Sequence, residues 1–69
     1  MQVGDYIKHC RKYYGLSQEQ MGASLSISQS YLSEVETGRK NPKKLRAKLL
    51  EKYPVTNELL VYLKSVGAI

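Results

Sequence analysis

Apolar residues fall at helical spacing in five stretches, separated by short polar or glycine-containing breaks. Val3, Ile7, Cys10 and Tyr14 recur at i, i+4, i+7 and i+11, which predicts a first helix over residues 3–14 with Gly15 as its stop. Met21 and Leu25 form an i, i+4 pair, and Leu32 and Val35 an i, i+3 pair, predicting helices over 18–25 and 29–37. Ser17-x-x-Gln20 is a capping-box start for the second helix, Ser28 reads as the N-cap of the third, and Gly38 follows its end. Between these two helices lies only Leu25-Ser26-Ile27-Ser28, so they must turn sharply, crossing at roughly 90–120°. Asn41-Pro42 reads as N-cap and first position of a fourth helix, expected near 43–52, with Leu45, Leu49 and Leu50 as its stripe and Tyr53 near its end. Pro54 then breaks the chain, and Thr56 or Asn57 can cap a fifth helix over 57–66. The expectation is an all-α fold, a compact five-helix single domain over residues 1–69 with its core motif at 17–37.

Small size changes what this pattern can support. A domain of 69 residues buries only roughly 60% of its unfolded surface, so it depends on close helix packing or on pairing of chains. The fifth helix is apolar over most of its circumference, and one face is enough for the core. Its Leu59, Leu60, Tyr62, Leu63 and Val66 are therefore expected to form a homodimer interface. Tyr6 and Tyr13 read as rim or core aromatics with their hydroxyls in water.

The net charge of +5 is unevenly spread. Residues 1–16 carry Lys8, Arg11 and Lys12 against Asp5, whereas 17–37 carry only the acids Glu19, Glu34 and Glu36. Residues 38–52 then hold Arg39, Lys40, Lys43, Lys44, Arg46, Lys48 and Lys52 against Glu51, a net +6. A lysine run is ordinarily a solvated face, but one adjoining a sharp pair of helices points to phosphate binding. Lys43 and Lys44 stand in a helix first turn, where cations oppose the helix dipole and so invite an anion.

Several classes of chemistry find no residues to carry them. There is no set of histidine, carboxylate and nucleophile, and no phosphate-binding glycine loop, so an enzyme is not expected. His9 is the one histidine and Cys10 the one cysteine, so neither a metal cluster, a bound cofactor nor an intrachain disulfide is expected, which suits a reducing cytoplasm. Cys10 reads as a small buried hydrophobe. No membrane span or leader peptide is expected, because no apolar run approaches the ~20 residues that a span needs.

The stretch SQEQMGASLSISQSYLSEVETGRKNP, with Ile7 and Arg11 upstream, resembles the helix-turn-helix of the phage repressor and Cro family, also called XRE-like. The resemblance runs from about residue 3 to residue 50 and includes the small Gly22 and the closing Glu36-Thr37-Gly38-Arg39. It implies a partly buried pair between Arg11 and Glu36, Gln18 against a DNA phosphate, and base contacts from Gln29, Ser30, Ser33 and Glu34. Ser26 departs from the pattern, which usually has a left-handed glycine there. Serine costs about 1 kcal/mol in that conformation, so the turn is expected to be slightly remodelled.

The residues of the third helix fit that role on their own account. With Leu32, Val35 and part of Tyr31 turned inward, Gln29, Ser30, Ser33, Glu34 and Thr37 face outward. A glutamine can present donor and acceptor together to adenine N6 and N7 in the major groove, and short serines permit close approach. Glu34 is awkward, since a carboxylate facing DNA either accepts from a cytosine N4 amine or is repelled by phosphates, and repulsion is the expected effect. Phosphate contacts are expected from Ser17, Gln18, Ser28, Tyr31, Arg39, Lys40, Asn41, Lys43 and Lys44, although Gln18 also reads as a plain solvent-facing residue. Double-stranded operator DNA bound by a homodimer is the expected partner, in a small repressor of transcription. The alternative is a regulator that grips another protein, such as an antirepressor or polymerase-binding factor. The motif's own negative charge favours that alternative, and the basic run opposes it.

Overall fold

The computed structural model describes residues 2–69 and contains five helices: α1 (Val3–Tyr13), α2 (Gln18–Ser24), α3 (Gln29–Glu36), α4 (Lys43–Lys52) and α5 (Asn57–Ser65). There are no strands among the described residues. Four of the helices end one residue short of their sequence-based limits. Tyr14, Leu25, Thr37 and Val66 are C-caps, each still donating its amide into the last turn. Ser17 and Gln20 form the expected capping box, Ser28 caps α3, and Thr56 rather than Asn57 caps α5. α4 differs. It begins at Lys43, with Pro42 in the N-cap position at φ −76°, ψ 122° and no side-chain cap. A proline has no side-chain acceptor, and with Lys43 as the first helical residue Asn41 lies one position too early to cap.

The core draws on every helix: Val3, Tyr6, Ile7 and Cys10 from α1, then Met21, Leu25, Leu32 and Val35 from the motif, then Leu45, Leu49, Leu59 and Leu63. Tyr14 and Leu50, expected inside, are instead 42% and 44% exposed. Tyr14 lies past the end of α1, and Leu50 adjoins Leu49 on a helix that buries only a narrow stripe. Tyr6 takes the inward place and donates from its hydroxyl to the Tyr53 carbonyl at 2.9 Å, so that hydroxyl is not in water. Burial is the main reason its pKa is raised. Burial also pushes the Cys10 thiol above its ordinary value, as befits a core hydrophobe rather than a nucleophile. Leu59 and Leu63 are buried in the monomer, so they serve its core and offer nothing to a subunit interface; only Leu60, Tyr62 and Val66 of the expected set keep exposed surface.

Two glycines set how closely the motif packs. A Cβ at Gly22 would stand 2.9 Å from the Ile27 carbonyl oxygen, so glycine lets α2 lie against the turn that leads into α3. A Cβ at Gly4 would overlap the Val35 carbonyl oxygen, so glycine lets α1 rest on the backbone near the end of α3. The sharp turn itself is made by Ser26 at φ 58°. The serine adopts the left-handed conformation rather than remodelling the turn, and the Gly22 carbonyl accepts from both Leu25 N and Ile27 N at 3.1 and 2.9 Å.

Candidate nucleic-acid interface

α3 is short, and its two sides are sharply divided. Leu32 and Val35 have no exposed surface, while Gln29, Ser30 and Thr37 are exposed and Ser33 and Glu34 half-exposed. The outward set named from the sequence therefore does share one open side of the helix. At its start, the Ser28 hydroxyl oxygen accepts from Tyr31 N at 3.0 Å, and the Ser17 hydroxyl does the same for Gln20 N at the start of α2. Each capping oxygen accepts, which leaves the hydroxyl proton free to be donated to an anion. Both helix starts also turn exposed amides outward.

The acids of the motif are met from outside it. Glu36 is buried and receives Arg11 in a two-pronged contact, Nε to Oε2 at 2.9 Å and Nη2 to Oε1 at 3.1 Å. Arg11 Nη1 also donates to the Leu16 carbonyl at 3.3 Å. Gln18 Nε2 joins the cluster, donating to Glu36 Oε1 at 3.3 Å. This is a second job for Gln18 that its sequence position did not suggest. The cluster ties α1, the start of α2 and the end of α3 together around one carboxylate. Glu34 has Lys40 Nζ at 3.7 Å from its Oε2, and the same ammonium lies 5.9 Å over the Tyr31 ring. Glu19 is exposed and forms no ion pair among the described residues; it stands in the first turn of α2, where a carboxylate suits the helix dipole.

The basic run is divided by α4 into groups with different surroundings. Lys43, Lys44 and Lys48 rim a groove of about 490 Å³ with Ser26, Ile27 and Tyr31 of the motif on its other side. Lys48 was not among the residues expected here, although its i, i+4 spacing from Lys44 is the signal that puts both on one side. Arg39, Lys40 and Asn41 are exposed in the connection from α3 to α4. Arg46 lies elsewhere, beside an apolar groove of about 290 Å³ shared with Val3, Leu50, Val55, Leu60 and Ile69. Lys52 is occupied: its Nζ donates to the Ser24 carbonyl at 2.6 Å and so caps the end of α2. The positive charge that can reach a ligand of α3 is thus carried by Arg39, Lys43, Lys44 and Lys48.

The sequence profile of the helix-turn-helix domain family matches residues 2–63. The chain belongs to that family, in agreement with its XRE-like resemblance. Over 40 residues it is 45% identical to an uncharacterized HTH-type transcriptional regulator, y4dJ, of Sinorhizobium fredii (strain NBRC 101917 / NGR234). That stretch covers 58% of this chain and 52% of the relative, so the match spans about half the length of that protein. No solved structure matches the chain significantly. No helix among the described residues is long and apolar enough to cross a membrane.

Proposed function

We propose that the protein is a sequence-specific DNA-binding regulator of transcription that inserts α3 into the major groove. The observation that carries this reading is the partnering of the motif's acids. Glu36 is met by Arg11 and Glu34 by Lys40, so the negative charge that argued against a DNA face is offset from outside the motif. Gln29, Ser30 and Ser33 then read base edges, while Ser17, Ser28, Asn41, Arg39, Lys43 and Lys44 hold phosphates, with Tyr31 supporting from the groove wall. Gln18 can do so with its second amide proton while keeping Glu36. The relative's name, an HTH-type transcriptional regulator, supports the same class. Repression by occupying a promoter in the cytoplasm is the simplest mode for such a domain.

A homodimer on two half-sites about 34–36 Å apart would double the contact. Its support is the apolar surface left by Leu50, Val55, Val61, Val66 and Ile69, each at least 44% exposed. The same surface favours a second reading, in which a regulatory protein partner occupies it and no DNA is bound. A mobility shift on random-sequence duplex at low salt distinguishes the two, because weak electrostatic binding to any duplex belongs to the first reading alone. Absence of any shift would refute DNA binding. Selection from a random duplex library would then give the preferred site.

A further inference from the structure

The geometry points to Lys40 as a positioning residue that holds Glu34 for base reading, rather than as one more phosphate clamp. This inference rests on the DNA-binding reading above. After Thr37 the chain reverses through Gly38 at φ 83°, and the amides of Arg39 and Lys40 return to the Glu34 carbonyl at 2.9 and 3.4 Å. The Thr37 hydroxyl donates to the same carbonyl at 3.1 Å. Residue 40 is therefore brought back beside residue 34 by the backbone, before any side-chain attraction acts.

The side chains complete the arrangement. Lys40 Nζ has the Glu34 carboxylate on one side, at 3.7 Å from Oε2, and the Tyr31 ring on the other, at 5.9 Å from its centroid. Tyr31 and Glu34 are i, i+3 neighbours on α3, and Tyr31 is half-buried, so the ring is a fixed floor for the ammonium. Arg39, Lys43 and Lys44 are exposed, as Lys40 is, but form no ion pair among the described residues. Those three have no side-chain partner to leave; Lys40 has Glu34 and Tyr31 beside it, in a pair that stays half-open to solvent.

The consequence concerns which bases α3 accepts. A lone carboxylate entering the major groove is repelled by the phosphates, whereas a carboxylate with its own counter-ion enters as a neutral pair. With Oε2 facing Lys40, Oε1 remains to accept from an amine, and the major-groove amine suited to a glutamate is N4 of cytosine. Lys40 thereby turns Glu34 from a repulsive group into a selector for cytosine.

Site selection from a random duplex library, run with the full chain and its variants, tests this. Lys40→Met keeps the length of the stem over Tyr31 and removes the charge. It should reduce the preference for cytosine at one base pair per half-site by about tenfold, the scale of a single base-edge interaction. Glu34→Gln should alter the same pair and no other, the double variant should go no further than Glu34→Gln alone, and Lys40→Arg should restore the preference. If Lys40→Met weakens binding to all duplexes alike and leaves every preference unchanged, Lys40 is a clamp and the inference fails. A wild-type chain that selects no sequence would overturn the proposed function itself, a different result from the last.

Discussion

The α1–α3 half and the α4–α5 half of this domain are held by different physics. In the first, backbone meets backbone at Gly4 and Gly22, and a buried carboxylate gathers Arg11 and Gln18 from two other helices. Such contacts are directional, so they fix the angles at which α2 and α3 are presented. In the second half, Leu45, Leu49, Leu59 and Leu63 fill space against the core, with an apolar groove left open between α1, α4 and α5. Leucine contacts have little directionality and tolerate adjustment. The difference teaches where geometry matters: the face proposed to read DNA is built on the rigid half, and the adaptable half carries lysines on long stems.

The sharpest way to break the comparison is to remove the polar centre of the rigid half. Glu36→Ala leaves Arg11, whose side chain is only 19% exposed, without its anion. It should destabilise the fold by about 3 kcal/mol, at the lower end for an orphaned buried charge because Arg11 keeps some water. The midpoint of urea denaturation should fall accordingly, and a loss under about 1 kcal/mol would show the cluster to be ornamental. Gly4→Ala forces a methyl group against the Val35 carbonyl and should cost up to about 3 kcal/mol, since helix backbones rather than flexible side chains must shift. Leu50→Ala, on the exposed side of α4, should stay within about 1 kcal/mol in the same assay.

On the adaptable half, Lys43→Ala with Lys44→Ala should leave folding intact and weaken binding to every duplex. The slope of log affinity against log salt should flatten by about 0.9 for each phosphate no longer neutralised per subunit. An unchanged slope would make these lysines a solvated surface. A comparably small effect, of opposite sign, belongs to the turn between α2 and α3. Ser26→Gly should add about 1 kcal/mol by relieving a left-handed serine, with DNA affinity unaffected.

Much of this was legible in the order of residues, because helix spacing, caps and stops are local. Ser17, Gln20 and Ser28 announce helix starts wherever they are folded, and the open side of α3 follows from Leu32 and Val35 alone. What was not legible depends on how helices meet. Gly4 shows no local reason to be glycine until α1 is laid on α3, and Lys52 looks like one more cation until the end of α2 arrives beside it. Leu59 and Leu63 illustrate the converse. An all-apolar helix does not say which of its sides the monomer consumes, so the interface expected there was drawn too wide. Asn41-Pro42 misled only about the cap: α4 has its expected span from Lys43, which puts Pro42 rather than Asn41 in the N-cap place.

The claim that α3 is the reading element is tested most directly by Gln29→Ala, titrated against the preferred duplex and against random duplex. Gln29 is exposed at the start of α3 and supports no buried contact, so its loss should leave folding unchanged. Affinity for the preferred site should fall by about 1–3 kcal/mol, with specificity relaxed at one base pair per half-site. Binding to random duplex and the salt slope should stay where they were, because both rest on phosphates. A variant that folds and keeps the wild-type preference would contradict the assignment of α3 as the element that reads DNA.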